Sequence, residues 1–177
     1  MKYLALNLLA ESNLNVISEF YKLIAHCECV VIESRCDFLG NELCIHALLG
    51  GAWNAIAKVE AAISGLEKKY DLKLTLRHTD QRNFGEQSEL YPYSVYVITQ
   101  ATPGAVHQVV SFFTDQNISV NEIIVNAYLA PYTQVTMISI ALSVNIPSQL
   151  SLAELRDRFM LFCDDYNFDA VMGPEKD

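Results

Sequence analysis

Soft and imidazole-bearing residues cluster early in the chain: His26, Cys27, Cys29, Cys36, Cys44 and His46 fall within 21 positions. That density would suit zinc, which takes thiolate and imidazole ligands in a tetrahedral set. The spacing argues otherwise. There is no C-x2-C pair, and Cys27-Glu28-Cys29 straddles the end of one element and the start of the next. Cys44 and His46 share a strand face, but free cysteine is a common core residue. These are therefore read as structural thiols, and no metal site is expected. His78 and His107 belong to no recognisable triad or metal motif. Glu33 and Glu122 read as solvated strand carboxylates, and Trp53 with Ile56 and Val59 reads as core. No phosphate loop or dinucleotide fingerprint appears. No catalytic residue, no cofactor and no enzymatic activity are expected.

A different chemistry is available at Thr102-Pro103-Gly104. Pro103 presets φ for a helix start, where its missing N–H does no harm. Gly104 lets the chain turn without a Cβ. Backbone N–H groups at such a start, with the positive end of the helix dipole, suit a carboxylate. An amide oxygen at Asn117 or Asn121 could accept from an ammonium. Together these are the complements of a free amino acid. The alternative is structural, with Pro103-Gly104 as a good strand-to-helix turn and Asn117 as a helix C-terminal cap.

The elements that must hold these residues can be read from periodicity. Tyr93, Val95, Val97 and Thr99 share one strand parity, and Tyr96 and Ile98 the other, so both faces of that strand look largely covered. Val106, Val109, Val110 and Phe113 recur at helical spacing. Before them, Lys2–Leu9 is strand-like, and Val16, Ile17, Phe20, Tyr21, Leu23 and Ile24 form a helical face. Cys29–Leu39 and Glu42–Leu49 read as strands joined by Gly40-Asn41, and a helix runs from Trp53 to about Tyr70. Leu72, Leu74 and Leu76 alternate with polar residues, as in a half-buried strand. The order is βαββαβ. After the polar stretch TDQRNFGEQSEL it restarts, ending with a helix introduced by Ser151 and Glu154 at capping-box spacing. A shift of 89 residues lays Phe20 on Val109, Ile24 on Phe113, Val31 on Val120 and Glu33 on Glu122. An internal duplication accounts for that match. The domains are placed at 1–79 and 91–177, with 80–90 as linker.

Composition bounds the function. Of the 177 residues 51% are hydrophobic, ample for packed cores, and the net charge of −9 argues against a surface that neutralises nucleic-acid phosphates. The first residues are too short an apolar run for a membrane span. Five cysteines without an export signal suggest reduced thiols in a cytoplasm. Tyr91, Tyr93, Tyr96, Tyr128 and Tyr132 are suited to interfaces, between the repeats or with a partner.

A βαββαβ unit folds as a four-stranded antiparallel sheet with both helices on one face. In a repeated unit of this length, Ala101-Thr102-Pro103-Gly104 at the first helix entry and Asn117-Ile118 at the second strand resemble the ACT domain, a small-ligand regulatory module of amino-acid metabolism. The resemblance implies an α+β protein of two tandem ferredoxin-like ACT units, with no catalytic or DNA-binding domain appended. It carries over Thr102, Gly104, Ala105, Asn117 and Ile118 as a ligand-binding lip; Asn121 is added from the residues themselves. The first repeat departs from the pattern, with Ser12-Asn13-Leu14-Asn15 at the helix entry and Glu28-Cys29 for Asn117-Ile118. Asn13 and Asn15 remain candidates for a polar ligand there. The implied function is a transcriptional repressor that senses a small amino acid such as glycine and contacts a DNA-bound activator. The alternatives are an amino-acid-binding subunit that modulates a separate enzyme, or a structural dimerisation module. Open sheet edges offer a surface for a homodimer.

Overall fold

The computed structural model describes residues 1–11, 13–80 and 90–175. The chain divides into two compact units, Met1–Asn83 and Phe84–Asp177. Most of the expected linker lies outside the described residues.

In the first unit, strand β1 (Lys2–Glu11) alternates by one residue between core and surface. Leu4, Leu6, Leu8 and Ala10 are buried, while Asn7 and Leu9 face solvent. Helix α1 (Leu14–His26) buries Val16, Phe20 and Ile24 on one stripe. Strands β2 (Val30–Leu39) and β3 (Glu42–Gly51) form a hairpin closed by Gly40 and Asn41. Gly40 at φ 65 supplies the positive φ that a two-residue turn of type II′ needs at its first central position. Helix α2 (Trp53–Tyr70) buries Ala55, Ile56, Val59, Ile63 and Leu66. Strand β4 (Lys73–Thr79) completes an antiparallel sheet in the order β2-β3-β1-β4. One core unites the inner face of β1 and β3 with both helices. Both helices therefore cover one face.

The second unit repeats this plan. Strand β5 (Leu90–Gln100), helix α3 (Ala105–Thr114), strands β6 (Ser119–Leu129) and β7 (Thr136–Pro147), helix α4 (Leu152–Tyr166) and strand β8 (Asp169–Pro174) give the sheet order β6-β7-β5-β8. The capping box at Ser151 is present, its Oγ accepting from the Glu154 N–H at 3.4 Å. The core is more aromatic than its counterpart, built round Phe113 and Phe159 with Phe112 and Phe162 against them.

Two expectations are corrected. Trp53 is not core: its position opens α2 at the rim of the sheet, and it stays 75% exposed. The strand at Tyr93–Thr99 is covered on one face only. Val95, Val97 and Thr99 are buried, but Tyr96 points away from the helices and is 45% exposed. Apolar side chains on both parities did not mean two covered faces, because tyrosine tolerates a wet surface.

Candidate functional site

The turn into α3 is built as its residues require. Gly104 sits at φ 90 and ψ −12, a left-handed conformation that a Cβ would strain. A Cβ there would meet nothing within 4 Å, so the glycine is demanded by backbone geometry and the space around it is open. The Thr102 carbonyl accepts from the Ala105 N–H at 3.3 Å, and the Gly104 carbonyl from the Gln108 N–H at 2.9 Å. The N–H groups of Val106 and His107 fall in the first helical turn, where no carbonyl of the helix can reach them. Thr102 and Gly104 are exposed, whereas the Ala105 side chain is buried and offers only backbone.

Asn117 and Ile118 lie at the other end of α3. Asn117 adopts φ 57 and its N–H bonds the Thr114 carbonyl at 3.0 Å. The Ile118 N–H reaches back to the Phe113 carbonyl at 3.1 Å, and the Ile118 side chain is in the core. This is helix-terminating geometry of the kind that places Asn or Gly in the left-handed region. Asn121 occupies a bulge, between Val120 and Glu122 in the pairing of β6 with β7. Its Oδ1 accepts from Asn145 Nδ2 at 3.2 Å. The ten residues of α3 span roughly 15 Å. One small amino acid held by a single unit cannot touch both Gly104 and Asn117, so the lip does not form one site within the unit: Thr102 and Gly104 lie at one end of α3 and Asn117 at the other.

In the first unit, Asn13 is the N-cap of α1 and its Oδ1 accepts from the Asn15 N–H at 3.0 Å. Helix α1 thus starts earlier in the repeat than α3. Asn15 is an ordinary helical residue and does not reproduce the left-handed turn of Gly104. The Asn13 oxygen is already engaged in capping.

Other chemistry-bearing residues are placed apart. His107 Nδ1 and Ser111 Oγ lie 3.1 Å apart on the exposed side of α3. Asp115 is two turns beyond His107 on the far side of the serine, where it cannot orient the imidazole as a triad acid does. Among the described residues no three His, Cys, Asp or Glu side chains gather as metal ligands. Three of the thiols are shifted upward. Burial, then the Asp164 carboxylate, pushes Cys163 up to about 11. Burial first, then Cys27, raises Cys29, and Lys58 partly offsets the shift. Burial followed by Asp37 and Cys44 raises Cys36. Raised thiols make poor nucleophiles.

Sequence reasoning missed a groove in the first unit beneath Trp53, about 490 Å³ in volume. The available signal was an indole opening a helix directly after Gly50-Gly51-Ala52, where the sheet ends.

Comparison with known proteins agrees with this architecture. Residues 2–77 match the family model of the ACT domain. The chain is 22% identical to the glycine cleavage system transcriptional repressor of Escherichia coli K12 over 167 residues, covering 93% of this chain and 86% of the relative. The Shigella flexneri repressor gives the same figures. A crystal structure assigned as a glycine cleavage system transcriptional repressor superposes with a TM-score of 0.76 at 21% identity, covering 99% of this chain and 98% of that one. A protein of unknown function from Galdieria sulphuraria superposes with a TM-score of 0.75 at 14% identity, covering 99% of both chains. The first unit thus matches the ACT domain, and the chain as a whole is a tandem of ferredoxin-like βαββαβ units, similar over nearly its full length to these proteins. No helix among the described residues is long and apolar enough to cross a membrane.

Proposed function

We propose that this tandem of ACT-type units is an amino-acid-responsive, non-enzymatic regulator that acts in the cytoplasm. It represses glycine cleavage genes by contacting a DNA-bound activator protein. The observation that carries this reading is the similarity to the repressors across both units, over 93% of the chain. The net charge of −9 favours a protein partner over a phosphate backbone. Strand β6 lies at the sheet edge with Ile124 and Leu129 exposed, a surface suited to the activator or to a second copy of the chain. The ligand is a small amino acid such as glycine, its carboxylate received at the Thr102–Gly104 turn.

The test has two arms. The tagged chain should retain the activator in a pull-down, and its deletion should raise expression of a glycine cleavage reporter. Recovery of a metabolic enzyme with no change in the reporter would replace this reading by that of an enzyme's regulatory subunit. In the second arm, glycine should raise the melting temperature with concentration, by mass action. Thr102→Arg, at an exposed position that leaves Gly104 unstrained, should abolish the shift. Absence of any shift at millimolar glycine would remove the ligand from the proposal.

A further inference from the structure

The groove beneath Trp53 belongs to the first unit, whereas the turn discussed above belongs to the second, and much of its lining can be derived from register. Strands β1 and β4 pair with Leu4 opposite His78 and Tyr3 opposite Thr79. Directly opposed residues share a face, so His78 stands on the helix-covered face with buried Leu4. Beyond the last paired residues, Lys2 and Asp80 also line the groove. The apolar interior therefore gives way to charge at this end of the sheet. Above it, α2 presents Trp53, Ile56, Ala57 and Glu60, at the i, i+3, i+4, i+7 spacing of one helical stripe. His78 Nε2 donates to Glu60 Oε1 at 2.9 Å, which ties the strand end to the helix.

Three features meet here. The groove holds about 490 Å³, within the range of small-molecule sites and well above what glycine would fill. Its roof is an indole left 75% exposed, although it belongs to the stripe whose next member, Ile56, is 2% exposed. Its polar lining carries both signs, with Lys2 as cation and Glu60 and Asp80 as carboxylates. A purely anionic or purely cationic ligand would meet a like charge in so mixed a setting. A zwitterion meets a partner for each end, and an apolar planar group would cover the indole and Ile56. The second unit offers no counterpart at its helix start: α4 opens with Leu152, packed against the core.

We propose that this groove is a second, independent ligand site, which binds a zwitterion bearing a flat apolar group, of the class of the aromatic α-amino acids. Lys2 receives the carboxylate, Glu60 and Asp80 receive the ammonium, and Trp53 stacks on the ring. The site does not depend on ligand binding at the Gly104 turn.

Trp53 is the sole tryptophan, so its fluorescence reports on the groove alone. The full chain is titrated with L-phenylalanine, which does not absorb where indole is excited selectively. A saturable change is expected in the millimolar range or below, with none for glycine. Phenethylamine and hydrocinnamate, each lacking one charge, should bind about tenfold more weakly. Lys2→Glu should weaken phenylalanine but spare phenethylamine, and Glu60→Gln should weaken phenylalanine but spare hydrocinnamate. Trp53→Ala, at an exposed position, should fold and lose the phenylalanine-dependent rise in melting temperature. Thr102→Arg should leave the fluorescence titration unchanged, which separates this site from the glycine reading. Equal binding of phenylalanine and its uncharged N-acetyl amide would overturn the zwitterion assignment. No saturable change up to ~10 mM phenylalanine would overturn the site.

Discussion

The two units share their backbone and part company in their side chains. In both, the first helix ends on a left-handed residue, Glu28 at φ 60 and Asn117 at φ 57. In both, the next N–H reaches back five residues, Cys29 to Ile24 at 3.2 Å and Ile118 to Phe113 at 3.1 Å. Both edge strands carry a bulge at the equivalent place, between Val31 and Glu33 and between Val120 and Glu122. What fills the bulge differs. Ile32 lies against Gly50 in the first unit, where Asn121 bonds Asn145 in the second. The helix entries differ too, an Asn13 cap against a Gly104 turn. A duplicated fold keeps its hydrogen-bonding plan because every buried N–H and carbonyl needs a partner. Side chains at the ends of elements escape that demand, and the two units diverge there.

The largest effects should come from the two cores. Phe20 and Phe159 are fully buried, one in each unit. Truncating either to alanine should cost ~3–5 kcal/mol. Phe159→Ala should lie higher, because its ring meets those of Phe112 and Phe113 at 5.0 and 5.1 Å between centroids. Hydrogen exchange should show protection lost within the unit that carries the change. Equal loss in both units for Phe20→Ala would break the picture of two separate cores.

The next effect belongs to the second unit and to pH. Cys163 is fully buried and rises from 9.0 to about 11 on folding. The folded state therefore holds the thiol proton more tightly than the unfolded one. The associated stability is present in full below pH 9 and is lost as pH climbs through 11. At ~1.4 kcal/mol per pH unit the loss amounts to about 2–3 kcal/mol. Denaturant titrations of the native chain and of Cys163→Ala should converge over that window. Parallel curves would mean that the thiol is solvated.

Much of this was legible in the sequence, for physical reasons. Alternation in Lys2–Leu9 and the 3–4 spacing of Val16, Phe20 and Ile24 follow from burial on one face, so the element order and the repeat could be read. Tyr96 and Trp53 could not be placed by type, because aromatic side chains serve wet and dry surfaces alike. The sequence also set Asn15 in register with Gly104. It could not show that Asn13 captures the Asn15 N–H and starts the helix early. The separation of Gly104 from Asn117 is a matter of helix length that a list of motif residues hides. The groove at Trp53 needed the register of β1 with β4, which no local pattern supplies.

The bulge offers a sharper test of the contrast. A Cβ on Gly50 would approach the Ile32 side chain to 3.1 Å and press on Met1. Gly50→Asn, which imports the second unit's residue, should cost ~1–3 kcal/mol by overpacking. Adding Ile32→Asn should recover part of that, since the new amides can pair as Asn121 and Asn145 do. Asn145→Ala in the second unit loses one exposed hydrogen bond and should cost no more than about 1 kcal/mol. Thermal melts of the four chains decide it. A Gly50→Asn variant as stable as the native chain would show that the two bulges are interchangeable.

The smallest difference separates the two left-handed residues. Asn visits this region more readily than Glu, because its short side chain can bond locally. On backbone grounds alone, Glu28→Asn should stabilise the first unit by a few tenths of a kcal/mol. Glu28 also pairs with Lys58 at 3.3 Å, both side chains largely exposed. An exposed pair of that kind contributes ~0–1 kcal/mol and weakens with salt. At low ionic strength the two terms should nearly cancel, and Glu28→Asn should leave the melting temperature almost unmoved. At high ionic strength the pair is screened while the backbone term stays, so the same variant should become the more stable chain. Asn117→Glu, which puts the less tolerant residue at φ 57, should destabilise the second unit by a few tenths of a kcal/mol on the same backbone grounds. A salt-independent effect of Glu28→Asn would show that the ion pair contributes nothing, leaving backbone preference as the whole difference between the two positions.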